Sequence, residues 1–491
     1  MLALSGVTAL AARGDDNSGS KPVLRWGGDK GGGGPFIYET RDDTLTGFEV
    51  QIADFLATKL GRTAEFVQGE WQTLPQNLTR GDIDCVLNGY EWSPEREQHM
   101  LSTIPYYVYR IQLVARQSDD SIRGWDDLRA APDRPKRRVG VLANSASERY
   151  LRKEFSDDVE VVALDEEGTT GVMRSVESGQ LDATVQDTPT VSHYVGPGRE
   201  FPKLHLVGDA IEPGYFVIFV RRDDTELRDQ LNAAIRDGLK DGTFRRIYEA
   251  YGLWNADQER LLTVADHWPP DVQASESPLG HYLLILAKAA ITTVWLSFAS
   301  MPLAILIGLS VAVGRLYGPR ALGALLTIYV EVLRGTPLLL QLWVIYFLLP
   351  EIHIRLDPFW AGVFGLAINY SAYEAENYRA GLSAVPKGQM EAALALGMGR
   401  WTALRHVIIP QAVRIVIPPV TNDFIALFKD TSVCSVIAVT ELTGRYRHLL
   451  VDHPHDVLAL GVLTALLYLL MSYPLSLVAR RLERRFPKVV A

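Results

Sequence analysis

The stretch "GQMEAALALGMGRWTALRHVIIPQA" (residues 388–412) decides how the second half of the chain is read. Long apolar runs flank it, yet Lys387 precedes it and it carries Glu391, Arg400, Arg405 and His406. Its Ala-rich start favours a short helix. Gly397 permits a tight turn or a close approach by another chain. A charged, helix-prone segment set among apolar runs is either a solvated connector or a handle on which another protein acts.

The surrounding runs are long enough to cross a bilayer, which takes about 18–20 apolar residues. Five spans are expected, about 284–314, 322–349, 358–384, 411–438 and 457–479. Within the second, Glu331 and Arg334 stand three apart on one helical face, able to pair and required to face protein, water or a helix end. Lys and Arg set the orientation. Arg315 and Arg320 follow the first span, and Lys387, Arg400, Arg405 and Arg414 follow the third. The tail holds Arg480, Arg481, Arg484, Arg485 and Lys488. These read as cytoplasmic, against Arg355, Arg445 and Arg447 on the other side, so the N-terminus lies outside.

Residues 22–255 are of another kind, rich in charge and glycine. "PVLRWGG", "TAEFVQ" and "IDCVLNG" read as strands, and "GFEVQIADFLATKLG" and "TLPQNLTRG" as helices between them. "RVGVLANSASERYL", "VVAL" and "LDATVQD" begin a second unit. "YFVIFVRR" is a further strand, and the segment from "TELRDQ" to "YEAYG" gives two amphipathic helices. Two α/β units with mostly parallel sheets follow. Residues 256–280, with Pro269, Pro270 and Pro278, read as a linker. Residues 1–21 resemble the end of an export signal, though the basic start of such a signal is missing and the apolar stretch is short.

Together, "GFEVQIADFLATKLG", "GDIDCVLNG…SPER", "SGQLDATVQD" and "DGTFRRIYEAYG" resemble the substrate-binding proteins of polar amino acid ABC importers of the histidine/glutamine type. The resemblance implies a two-lobed periplasmic-binding-protein fold (type II) closing on a ligand. Lobe 1 is expected at about 22–115 and 212–255, and lobe 2 at about 118–210. Glu391-Ala392-Ala393, Gly397 after three intervening residues, then nine residues before Val407 and Pro410 resemble the cytoplasmic coupling loop of ABC permeases. "EVLRGTPLLLQLWVIYFLLP" and "NDFIALFKDTSVCSVIAVTEL" are similar to polar amino acid permeases. The expectation is an all-α permease of the type I importer class over 281–491, with its coupling loop at about 385–410. In that family the loop docks on an ATPase subunit.

An amino acid brings a carboxylate and an ammonium, and a site that excludes water must supply a fixed charge for each. The resemblance places Arg96 on the carboxylate, where its fork donates two parallel bonds. It places Asp187 on the ammonium, and Ser145 at a loop–helix junction that also faces the carboxylate. The family's usual aromatic before "PF" is replaced by Gly31–Gly34, leaving Phe36, Tyr38 or Trp71 to wall the ligand. Tyr90 and Glu91 stand where small or hydroxyl residues are usual. Glu91 pairs with the ligand ammonium, with a cationic side chain, or structurally with Arg96.

The expected function is capture of a polar L-amino acid outside the cytoplasm and its passage across the bacterial inner membrane. The chain has no P-loop, so ATP and Mg belong to a separate ABC ATPase subunit, and no cofactor is expected here. Five spans are half a pathway, so two permease copies should pair. A ligand-gated channel or a membrane sensor on the same binding domain is the competing class; the unbroken binding domain and the permease loop speak against it. Net charge is −9 and no basic patch appears, which argues against nucleic acid. Cys85 and Cys434 lie in different halves and imply no disulfide. His448, His453 and His455 form no symmetrical ligand set and are not read as a metal site.

Overall fold

Two sheets organise the first half. In the first the order is β4 (Thr63–Gln68), β1 (Val23–Gly28), β5 (Cys85–Val86), β12 (Phe219–Arg221), β6 (Met100–Ser102). β1 runs parallel to β4 and β5, and β12 antiparallel to β5 and β6. A hairpin, β2 (Tyr38–Glu39) and β3 (Leu45–Thr46), lies beside it. The crossover helix α1 (Phe48–Lys59) buries Phe48, Ile52, Ala53 and Leu56, a helical stripe turned to the sheet. α2 (Leu74–Arg80) ends at Gly81 in the left-handed conformation, φ 81. α3 (Pro94–His99) is capped by the Ser93 hydroxyl, which accepts the Arg96 N–H. The computed structural model describes residues 21–40, 42–130, 135–164, 168–270, 279–352, 354–453 and 456–485. Residues 1–20 of the signal-like segment, residues 271–278 of the linker and His455 lie outside these.

The second sheet is ordered β11 (Leu204–Phe216), β7 (Tyr107–Arg116), β10 (Ala183–Asp187), β8 (Arg137–Leu142), β9 (Val159–Leu164). It carries α4 (Ala146–Glu154), α5 (Gly168–Glu177) and α6 (Thr188–Tyr194). α7 (Thr225–Lys240) and α8 (Thr243–Ala250) return to the first sheet, closing lobe 1. The expected lobe boundary shifts: β7 pairs with β10 and β11, so residues 107–116 belong to lobe 2. "YFVIFVRR" is likewise not one strand, because β11 ends at Phe216 and β12 begins at Phe219, where the chain changes sheets.

The expected linker also needs correction. Leu261 and Ala265 share one face of α9 (Leu261–Ala265), and Trp268 follows it. Leu261 and Ala265 are buried, and Trp268 packs against Trp92 and Tyr215 while its Nε1 donates to Ser102 Oγ at 3.1 Å. Residues up to Trp268 are therefore part of lobe 1.

The second half is helical: α10 (Leu279–Tyr317), α11 (Arg320–Gly335), α12 (Leu338–Trp343), α13 (Pro358–Ser383), α14 (Lys387–Ala395), α15 (Arg400–Ala403), α16 (Ile409–Asp430), α17 (Leu442–Asp452) and α18 (Val457–Arg485). Among the described residues, 3 helices are long and apolar enough to cross a membrane, or 4 if the pair bent by 109° at Gly335–Leu338 is one span. The break follows from Pro337, which lacks an N–H and holds Thr336 extended at ψ 144. The expected count of five is not met on this measure. α13 falls short because it sits inside the bundle, packed on α10, α11 and α16, and buries Asn369, Ser371 and Glu374 instead of facing lipid. Arg334 lies over the Tyr373 ring at 5.6 Å, and no ion pair joins it to Glu331 among the described residues.

Glu49 supplies a test of the lobe 1 core. Its carboxyl is fully buried, accepts the Gly89 N–H at 2.7 Å and the Tyr106 hydroxyl, and leaves Oε2 without a hydrogen bond. Burial pushes its pKa up to about 7, from 4.5. A carboxyl with a raised pKa in the folded state holds its proton more tightly there. Its contribution is present below pH 4.5 and lost as pH rises through about 7. Glu49→Gln should therefore flatten the fall in stability across that window, by roughly 3 kcal/mol. Thermal melts of both chains over that range check it.

Candidate functional site

The cleft between the lobes is lined by side chains that the topology delivers from both sides. Arg96, on α3 of lobe 1, is fully buried. Its guanidinium donates to the Glu91 carbonyl at 2.9 Å, to Glu91 Oε2 at 3.3 Å and to the Asn144 carbonyl of lobe 2 at 3.1 Å. It lies 5.4 Å from the Trp71 ring and 5.2 Å from the Tyr90 ring, and those rings stack at 4.5 Å. Trp71 thus fixes the cation, and is itself tied by its backbone N–H to Asp29 and by Nε1 to the Asn88 carbonyl.

Lobe 2 answers from the start of α4. Ser145 is its N-cap, with Oγ accepting the Glu148 N–H. The Ala146 N–H points to Glu91 Oε1 at 2.7 Å, and Arg149 Nη2 donates to Glu91 Oε2 at 3.1 Å. Arg96 and Glu91 are therefore brought up to the Ser145 end of α4, with Glu91 as the partner of Arg96. Arg149 and Asn144 were not anticipated. Arg149 follows Ser145 by four residues, one helical turn, and this spacing was the available signal.

Asp187 stands at the end of β10 as the N-cap of α6, where Oδ1 accepts the Thr190 N–H at 2.8 Å. Burial raises its carboxyl to about 6; the Thr190 hydrogen bonds oppose the shift and the nearby Glu91 charge adds to it. Tyr109, also unanticipated, is buried and stacked on Phe216, with the charges of Glu91, Arg149, Arg96 and Asp187 around its hydroxyl. Phe36 is part of the lobe 1 core, against Phe48 and Phe216. Tyr38 stands 5.6 Å from the His193 ring of lobe 2.

The glycine run has a physical reason. Tyr194 OH accepts the Gly34 N–H at 2.8 Å, and a Cβ on Gly33, which has φ 76, would run into that hydroxyl. Glycines here let lobe 2 approach the lobe 1 backbone.

On the membrane half, Glu391 and Ala392 of α14 are exposed, while Ala393 is buried. Gly397 ends the helix with φ 81, and the Met398 N–H reaches back to the Ala393 carbonyl at 3.1 Å. Beside it Leu396 and Trp401 are each 81% exposed, an apolar pair on a charged loop. Deeper in the bundle is a cavity of about 530 Å³, lined among others by Arg334, Asn369, Tyr373, Asp423 and Asp430. Tyr370 donates to Asp430 at 2.6 Å. Asp423 and Asp430 are seven apart, two turns on one face, a spacing that went unread in the sequence.

Comparison with known proteins agrees with both halves. Residues 27–253 match the family of bacterial extracellular solute-binding proteins, family 3. Residues 304–488 match the binding-protein-dependent transport system inner membrane component. The L-cystine transport system permease protein TcyB of Bacillus subtilis is 38% identical over 42% of this chain and 88% of its own length. The glutamine transport system permease protein GlnP of Escherichia coli is 38% identical over 41% and 92%. Among solved structures, an ancestral arginine-binding protein bound to arginine is 27% identical, covering 47% of this chain and 98% of that one, with TM-score 0.42. The chain belongs to the family of binding-protein-dependent inner-membrane transport permeases, and carries a solute-binding domain fused ahead of the permease. It is a multi-pass membrane subunit of an importer.

Gly33→Val is expected to hold the lobes apart at Tyr194. Hydrogen exchange at the Gly34 amide should accelerate, while exchange in the β1 core stays as in the unaltered chain.

Proposed function

We propose that the chain captures a polar L-amino acid outside the cytoplasm and delivers it to its own permease half, driven by a separate ATPase. The observation that carries the reading is the cross-cleft set of a buried arginine, a helix start and an aspartate: a cation and N–H donors for a carboxylate, an anion for an ammonium. Arg96, the Ala146 N–H and Ser145 receive the carboxylate, and Asp187 receives the ammonium. The similarity of the permease half to glutamine and cystine permeases supports an amino acid as cargo.

Sidedness is supported by contacts between the halves. Arg355 Nη2 donates to the Ser178 carbonyl at 2.7 Å, Arg138 lies 3.7 Å from Asp357, and Gln76 Nε2 donates to the Leu450 carbonyl at 3.0 Å. Arg447 lies 3.9 Å from Glu70, and His453 Nδ1 lies 3.3 Å from His99 Nε2. The binding lobes thus rest on the two loops whose sparse positive charge reads as extracytoplasmic, and the coupling loop belongs to the other set. Leu396 and Trp401 suit burial against a partner, and ATP with Mg is then bound by that ATPase. Two permease copies complete one pathway, and the tether keeps the binding domain at high effective concentration.

Two measurements test this. With the full chain in detergent and L-glutamine, L-cystine, L-arginine and L-histidine as probes, calorimetry should find one that binds. Arg96→Ala should abolish that binding, a loss on the order of 3–5 kcal/mol; Asp187→Asn should weaken it by about tenfold or more. Unchanged affinity in both would remove these residues from the site. For the loop, Gly397→Arg and Glu391→Lys should leave binding intact and stop ligand-stimulated ATP hydrolysis in vesicles holding the chain and its ATPase. A Cβ at Gly397 meets no atom of its own chain within 4 Å, so the effect would come from the left-handed backbone and the partner.

A further inference from the structure

The donors suited to a ligand's carboxylate already hold one. Glu91 Oε1 accepts the Ala146 N–H at 2.7 Å, and Oε2 accepts from Arg149 at 3.1 Å and from Arg96 at 3.3 Å. One backbone N–H at a helix start and two guanidinium groups are the coordination an α-carboxylate needs. Glu91 is 7% exposed, so this pairing is enclosed. Glu91 and Arg96 come from lobe 1, Ala146 and Arg149 from lobe 2. The same bonds therefore tie the lobes together, alongside Arg96 to the Asn144 carbonyl.

We propose that Glu91 is an internal stand-in for the ligand's carboxylate, which sets the affinity of the cleft by competing for its donors. The inference rests on the amino acid reading of the site. Glu91 is five residues from Arg96 in the same lobe, so its local concentration at the donors far exceeds that of any free solute. An arriving amino acid must displace it from Arg96 and the Ala146 N–H. Arg149, whose side chain is 39% exposed, remains to pair with the displaced carboxylate. Its release is not a bare exposure of charge. Asp187 accepts the Thr190 N–H, forms no ion pair among the described residues, and is placed to take the ligand's ammonium. After exchange every charge has a partner: Arg96 with the ligand carboxylate, Arg149 with Glu91, Asp187 with the ligand ammonium. Before exchange, Glu91 holds the lobes together without a ligand.

A merely structural Glu91 and a competing Glu91 differ in the sign of one effect. Loss of a structural partner weakens binding; loss of a competitor strengthens it. Glu91→Ser restores a small hydroxyl and removes the rival carboxylate. The full chain and its Glu91→Ser variant would be titrated calorimetrically with L-glutamine, L-cystine, L-arginine and L-histidine. Each would also carry spin labels on Thr40→Cys and Arg199→Cys, one exposed position in each lobe, with Cys85 and Cys434 buried. The variant should bind the preferred probe about tenfold or more tightly, and without amino acid its labels should lie farther apart than in the unaltered chain. Equal or weaker affinity in Glu91→Ser, or equal label separation, overturns the inference while leaving the amino acid reading in place. Folded chains of both kinds that bind none of the four probes overturn the reading and the inference with it.

Discussion

A fully enclosed guanidinium sets the terms for the binding half. Removing a cation from water costs several kcal/mol unless anions and carbonyls surround it. Arg96 meets that demand with the Glu91 carboxylate, two backbone carbonyls and two stacked rings. One of these partners, the Asn144 carbonyl, stands on the other lobe, so satisfying one charge also brings the two lobes into contact. The glycine run meets the same requirement elsewhere on the seam, by letting Tyr194 reach a backbone N–H. Closure of the cleft and neutralisation of its charge are one physical event, and a ligand enters it as a further pair of charges.

The membrane half depends on a different constraint, that polar groups in a bilayer must face protein. α13 satisfies it by lying inside the bundle, with Asn369 Nδ2 donating to Gln341 at 3.1 Å and Asn377 to Asp423 at 2.7 Å. The break at Pro337 opens onto the same polar cavity. The loop around Gly397 leaves two large apolar side chains, Leu396 and Trp401, uncovered, which water alone does not favour. Solute-binding domain, polar cavity and exposed loop thus belong to a single chain.

Much of this was legible because it rests on local rules. Residues 63–68 form the expected strand, and α1 and α2 stop at glycines with positive φ. The turn at Gly397 was readable for the same reason. What was missed depends on long-range pairing. No local pattern separates β7 from lobe 1, since its membership follows from partners about 70 and 100 residues away. Apolarity alone counts fewer spans than the five expected, because it reports contact with lipid and α13 contacts protein. At the site, Arg96, Ser145 and Asp187 were carried by motif, whereas Arg149, Asn144 and Tyr109 enter only when the lobes meet. Glu91 was noticed as a departure, but its choice among three partners needed geometry.

The central claim is that one chain is both binding protein and permease. Reconstituting it with its ATPase in vesicles, ATP on the side of the coupling loop and radiolabelled polar L-amino acids on the side of the binding domain, tests this with no free binding protein present. The account predicts ATP-dependent accumulation that is lost when the binding domain is removed. Accumulation that persists without that domain, or that appears only when a separate binding protein is added, would contradict it.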